Sequence, residues 1–495
     1  MTTSSLNSIL DHPKIPISKQ EYDRIMENLH FFKSDYPDVE YVNSSNEVKK
    51  RPFYHLPIGK TTSRKIASLI YNENAEITSE NEVVNEFLQS VLNNDRFNKN
   101  FERYLESCLA LGGMAMRPYV DNNRIRVAFI QAPVFFPLQS NTQDVSSAAI
   151  VSKSTKSEGR EVVYFTLIEF HEWIPIGDGD SIYRVTNELY RSKDKNQVGA
   201  RVPLSELYED MEETVQIKGL TRPLFTYLKP AGMNNKDINS PLGLSIYDNA
   251  KPTIDFINRT FDEFMWEVKM GQRRVIVPEQ LTDVIMKQNQ QGDLIPRRRF
   301  DVENNVFMQL GGIGSLDSNP IIDITTPIRT EDYSKAISEG LKLYEMQIGV
   351  SAGMFTFDGT GVKTATEIVS EQSDTYQMRN SIVNLVEFAI KELAISICEL
   401  GKLSNLYNGP IPELDEISVN LDDGVFTDRN AELEYWTKAY ASNLTSQRRA
   451  ISKTMGVTLD EADDIIREIN SEVETPTDAE MMYFQNTHEN GNNKE

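Results

Sequence analysis

Gly359-Thr360-Gly361-Val362-Lys363-Thr364 stands ahead of a helical stretch and has the glycines and the lysine from which a phosphate-binding loop could be built. That chemistry needs an adjacent Gly-Lys, a fixed glycine spacing and a preceding strand, so that backbone N–H groups converge on the phosphates. The segment lacks all three, and nucleotide binding is not expected. Asp178-Gly179-Asp180 and Glu209-Asp210-Met211-Glu212-Glu213 offer oxygen ligands for a hard cation, but the calcium-loop pattern fails at Ile182. A solvated acidic surface without metal is expected there. His55 and His171 have no partner motif, and neither Gly-x-Ser-x-Gly nor His-Glu-x-x-His occurs. The residues therefore predict no catalytic constellation, no cofactor and no enzyme.

Two other groups stand out. Arg273 and Arg274, with Arg297-Arg298-Arg299, form the densest basic patch of the chain, and a solvated loop or salt bridges to acidic neighbours would account for it. Val350 to Gly361 sets Gly353, Gly359 and Gly361 among Met354, Phe355, Thr356, Phe357 and Asp358, between two helical stretches. Glycine permits backbone conformations that other residues resist, so a mobile loop is one reading. A plain helix connection with Phe355 and Phe357 packed away is the other.

The elements that hold these groups come from a chain of 495 residues, beyond the size at which one core usually stops growing. At 39% hydrophobic residues it can fold. Met1 to Leu29 carries no basic region followed by an apolar run, and no stretch of eighteen apolar residues occurs. Neither secretion by a signal peptide nor a membrane span is expected. Cys108 and Cys398 lie on apolar helical stripes, where a free thiol acts as a small hydrophobe. The net charge of -23 argues against tight capture of phosphates, which needs clustered Lys and Arg. It suits an acidic enzyme equally well, or a wall along which DNA slides without being trapped.

The capping pattern Ser18-x-x-Glu21 opens a helix to about Phe32, and a second helix covers Thr61 to Tyr71. Ser79-x-x-Glu82 precedes a stripe of Val83, Val84, Phe87, Leu88, Val91 and Leu92, and a fourth helix from Phe97 stops at Gly112. Met114 to Tyr119 and Arg124 to Ile130, joined by Asp121-Asn122-Asn123, read as a hairpin, with further strands at Ala149 to Ser152 and Val162 to Phe170. After a loop from Lys229 to Asn239, Ile254, Ile257, Phe261, Phe264 and Val268 mark a helix over Pro252 to Met270. Tyr333, Ile337, Leu341 and Tyr344 mark another over Thr330 to Ile348. Between them lies a β-containing insertion, with strand-like Val275 to Val277 and Ile321 to Thr325. The pattern Thr364-x-x-Glu367 starts a long helix ending at Gly401, of roughly 55 Å if unbroken. Helices near Asp428 to Ala441, Ser446 to Met455 and, after Thr458-x-x-Glu461, Asp460 to Ser471 follow, and His488 to Glu495 is expected to be disordered. The fold class is α+β, mainly α-helical.

This order, with Lys65 to Glu73 (KIASLIYNE), Pro241 to Ala250 (PLGLSIYDNA), Val350 to Thr375 (VSAGMFTFDGTGVKTATEIVSEQSDT), Leu444 to Met455 and Asp460 to Ile466, resembles tailed-phage portal proteins of the SPP1-like group. The resemblance implies a ring with a central channel, dodecameric in the virion, for packaging and ejection of double-stranded DNA. It implies a wing over residues 1–242, stem helices at 243–270 and 329–349, a clip at 271–328, a tunnel loop at 350–363, a long wing helix at 364–402 and a crown at 403–495. In the family the tunnel loop lines the constriction around DNA, which here means Gly353, Met354, Phe355, Thr356, Phe357, Asp358 and Gly359. The clip arginines would then dock terminase or an adaptor, or form a basic collar around DNA. Implied partners are further copies of the chain, DNA, terminase, a head-completion or adaptor protein, and the major capsid and scaffolding proteins, with no membrane. The implied location is the capsid portal vertex, with the host cytoplasm during assembly. The alternatives are another phage structural protein, such as a minor capsid or adaptor component, and an acidic nucleotide-using enzyme.

Overall fold

The structure is a computed structural model that describes residues 5–42, 46–72, 75–141, 144–177, 180–271, 275–276, 283–288, 294–299, 322–323, 327–355, 373–421, 429–455 and 459–474. Arg273, Arg274, Thr356 to Lys363, the expected helix start at Thr364, the Thr458 cap, Asp178, Gly179 and the tail from His488 lie outside the described residues. The chain divides into two units, residues 1–360 with 374–421, and residues 361–373 with 422–495.

In the first unit, α1 (Lys19–Lys33), α2 (Ile58–Ile70), α3 (Glu82–Asn94) and α4 (Phe97–Leu111) surround the main apolar core. The Ser18 hydroxyl accepts from Glu21 N at 3.2 Å, as its spacing predicts. The Glu21 carboxylate is used elsewhere, pairing with Arg24, whose Nη1 lies 2.7 Å from Asp248. At α3 the sequence reading needs correction. Asn81 is the cap, its side chain accepting from Val83 N and Val84 N, while Ser79 ends a strand and pairs with Ile417. α4 buries Phe97, Phe101, Leu105, Cys108 and Leu109 along one stripe. It ends at Gly112, where φ is 91° and a Cβ would stand 2.6 Å from Gly243 O, so no other residue fits without displacing backbone.

The strands are β1 (Ser5–Leu6), β2 (Val39–Val42), β3 (Val48–Arg51), β4 (Glu76–Ser79), β5 (Met114–Asp121), β6 (Arg124–Gln131), β7 (Phe135–Ser140), β8 (Val145–Glu158), β9 (Glu161–Gly177), β10 (Asp180–Ser192), β11 (Gly199–Val202), β12 (Thr214–Ile217) and β13 (Thr226–Leu228). The β5–β6 hairpin turns through Asn122 and Asn123, both at positive φ, in the two-residue connection whose twist suits paired strands. A seven-stranded sheet runs β1-β11-β10-β9-β8-β7 with β12 also on β10. Its long strands exceed the sequence expectation, and β10 was not foreseen. The antiparallel register pairs Ile168 with Val151 on one side and Glu188 on the other. Ile9, Ile15, Phe136, Val151, Ile168, Phe170 and Tyr190 form the core on one face.

The middle helices are α5 (Lys251–Met270) and α6 (Thr330–Ile348), each within a residue of the expected bounds. Between them β14 (Val275–Ile276) pairs with β17 (Ile322–Asp323), and β15 (Asp283–Gln288) with β16 (Leu294–Arg299). The long helix, α7 (Ser373–Leu403), has 31 described residues, about 46 Å of rise. It does not stop at Gly401. Gly401 is buried inside it, where a Cβ would lie 2.8 Å from the Phe87 ring, and Asn405, at φ 55°, makes the left-handed turn. β18 (Ile417–Asn420) then joins β4. Cys108 and Cys398 are free and buried, as their apolar stripes imply.

The second unit holds α8 (Arg429–Ala441), α9 (Gln447–Met455) and α10 (Leu459–Glu474). No helix among the described residues is long and apolar enough to cross a membrane.

Candidate functional site

α5 and α6 run antiparallel. Thr253 Oγ1 donates to Gln347 at 2.7 Å at one end, the Phe264 and Tyr333 rings lie 5.3 Å apart further along, and Arg329 grips Glu267 at 2.6 Å at the other. The Arg329 hydrogen bonds hold the Glu267 carboxyl down to about 2. Midway, Gly340 lets the helices close, since a Cβ there would stand 2.8 Å from Ile257 Cγ1. Phe256, Leu343 and Met346 stay exposed on this hairpin.

α6 ends where the glycine loop begins. Gly349 adopts φ 74° and Val350 N donates to Glu345 O at 3.1 Å, closing the helix in a Schellman turn. The Glu345 side chain is fully buried and accepts from Gly353 N at 2.9 Å and Phe355 N at 2.6 Å. The Lys65 ammonium donates to Met354 O and lies 5.2 Å from the Phe355 ring centroid, which also meets Tyr344 at 5.9 Å. Tyr344 OH donates to Thr62 Oγ1 at 2.8 Å. Ser351 and Thr375 exchange hydrogen bonds, Ser351 N to Thr375 Oγ1 at 2.9 Å and Thr375 N to Ser351 Oγ at 3.2 Å. The described chain thus leaves at Phe355 and resumes at Ser373 close to one fixed point.

Of the expected loop residues, the structure places Gly353, Met354 and Phe355 here, anchored, with Gly353 exposed and Met354 and Phe355 half-buried. Thr356, Phe357, Asp358 and Gly359 lie outside the described residues. For Phe355 the packed reading is the one observed. Arg297, Arg298 and Arg299 stand on β16 in register with Ile285, Val284 and Asp283. Nothing described brings them to Arg273 and Arg274. Sequence reasoning passed over Glu345, and it met Lys65, Ser351 and Thr375 only within the stretches that carry the resemblance, with no anchoring role. One signal was available for Glu345: an acid in the last turn of a helix opposes the helix dipole, so local donors had to be found for it.

Burial, with Arg117 nearby, pushes His171 down to about 3, and its Nδ1 lies 2.9 Å from Tyr183 OH. His55 Nδ1 faces Phe53 O at 3.1 Å. Among the described residues no group of three or more His, Cys, Asp or Glu side chains could hold a metal ion.

Compared with known proteins, residues 11–475 match the model of the family described as "Phage portal protein, SPP1 Gp6-like". A solved structure described as "Virion of native gene transfer agent (GTA) particle" aligns over 88% of this chain and 93% of that chain, with 11% identity and a TM-score of 0.44. No curated protein sequence matches.

Proposed function

Since the chain belongs to the SPP1 Gp6-like family of phage portal proteins, which are structural, non-enzymatic proteins of the phage capsid, we propose that it forms the ring through which double-stranded DNA is packaged and ejected. The match over residues 11–475 carries this reading. In the ring, dodecameric in the virion, residues 1–242 are the wing and 243–270 with 329–349 the stem. Residues 271–328 are the clip, 350–363 the tunnel loop, 364–402 the helix crossing the wing, and 403–495 the crown.

The physical features support that division of labour. α5 and α6, cross-linked at both ends and closely packed at Gly340, make a stiff rod of about 30 Å suited to a channel wall. Exposed Phe256, Leu343 and Met346 supply apolar surface for a neighbouring subunit. The insertion at the rod's far end carries Arg297 to Arg299, a docking face for terminase and later for the head-completion or adaptor protein. The wing meets capsid and scaffolding proteins. A chain of net charge -23 repels phosphates, so DNA slides past it without being held.

Glu345 and Lys65 anchor the loop as far as Phe355, so the part that reaches DNA begins at residue 356. Deleting residues 356–361 is expected to leave rings intact and to abolish DNA packaging in an in vitro assay with terminase. Packaging at the normal rate, or collapse of the ring, would contradict this role for the loop.

A further inference from the structure

α8 and α9 enclose a groove of about 420 Å³ lined by Tyr435, Trp436, Ala439, Leu444, Lys438 and Arg449, among others. Its lining combines aromatic rings with two cationic side chains, in a chain whose net charge is -23. The turn closing α8 is a Schellman motif, with Leu444 N donating to Ala439 O and Asn443 N to Tyr440 O, both at 2.9 Å. In that motif the apolar residue at Leu444's place usually packs back on the helix. Here Leu444 is 82% exposed and Tyr435 64%. Apolar side chains so placed around a groove call for an occupant.

We propose that the occupant is the chain's own segment Asp478-Ala479-Glu480-Met481-Met482-Tyr483-Phe484, which lies outside the described residues. Two observations select it. Its chemistry is complementary: Glu480 immediately precedes four consecutive apolar residues, against a groove where Arg449 stands beside aromatic rings while Lys438 is paired with Glu434. The reach also fits. α9 and α10 are joined by residues 456–458 and tied by Arg448 to Asp463 at 3.0 Å, which makes them an antiparallel pair. α10 has 16 residues against 9 in α9, so it runs roughly 10 Å past the start of α9, toward the turn holding Leu444. Residues 475–477 add up to ~10 Å more, enough to bring Asp478 to the groove. Glu480 then faces Arg449, and Met481 to Phe484 lie over Tyr435, Trp436 and Leu444. The segment closes the groove within its own subunit and hides an apolar patch that would otherwise be open to other chains.

The test uses a fluorescent peptide of residues 476–486 and three proteins: the full chain, the chain ending at Glu474, and that shortened chain with Arg449→Glu. Arg449 is exposed, so this change leaves the helices intact, which circular dichroism checks. By fluorescence polarisation the shortened chain is expected to bind the peptide saturably, and the full chain at least ~10-fold more weakly because its own segment competes. Arg449→Glu is expected to weaken binding at least ~10-fold, and a peptide with Glu480→Arg to restore it. Equal binding by the full and shortened chains, no binding at all, or indifference to Arg449→Glu would overturn the proposal. So would binding that the full chain shows only between copies.

Discussion

Glu345 is a buried carboxylate at the end of a helix, where the helix dipole opposes it. It is held there by two backbone N–H groups, those of Gly353 and Phe355. A fully buried donor left without an acceptor costs on the order of 1–3 kcal/mol, and these half-exposed donors lose less because water reaches them. Glu345→Ala is therefore expected to speed hydrogen exchange of the Gly353 and Phe355 amides and to lower the melting temperature, with Glu345→Gln milder because it keeps one acceptor oxygen. Unchanged exchange at 353–355 would show that the anchor lies elsewhere. Little of this could be read from the sequence. Phe355 and its glycines were visible as a loop, but the groups that fix them, Lys65 and Thr62, stand far away in the chain, and no local pattern brings Lys65 to Met354.

Among the elements, the α5–α6 pair was legible nearly to the residue. Its apolar stripes, Ile254 to Val268 and Tyr333 to Tyr344, repeat at helical spacing, and Gly349 supplies the stop. Gly340 within α6 was not. Glycine inside a helix ordinarily costs about 1 kcal/mol relative to alanine, so Gly→Ala should stabilise. At Gly340 the added methyl would meet Ile257 at 2.8 Å, and a β-branched side chain has little freedom to move away. The sign is expected to reverse. Gly340→Ala should cost about 1–3 kcal/mol through overpacking and so lower the melting temperature, whereas a rise would mean that the helices separate easily. The large sheet was read only in fragments for a related reason. β9 and β10 carry Thr166, Glu169, His171 and Asn187 at buried positions, which breaks the alternation of apolar and polar residues that marks a strand. Ser79 and Asn81 are both good cap residues, and only the structure shows that Ser79 is already committed to β4.

At the scale of the molecule, composition alone left an acidic enzyme and a DNA conduit side by side. The family match and the rigid helical hairpin favour the conduit, and the charge then has a consequence. Identical subunits of net charge -23 repel one another, so a ring needs cations to screen them. Phe256, Leu343 and Met346 are exposed apolar side chains on the α5–α6 pair, and in the proposed ring they face a neighbouring subunit. Electron microscopy of the purified full chain at several salt and magnesium concentrations tests the central claim most directly. The account predicts closed rings with a central channel, becoming more abundant as salt or magnesium rises, and a field of monomers under every condition would contradict it.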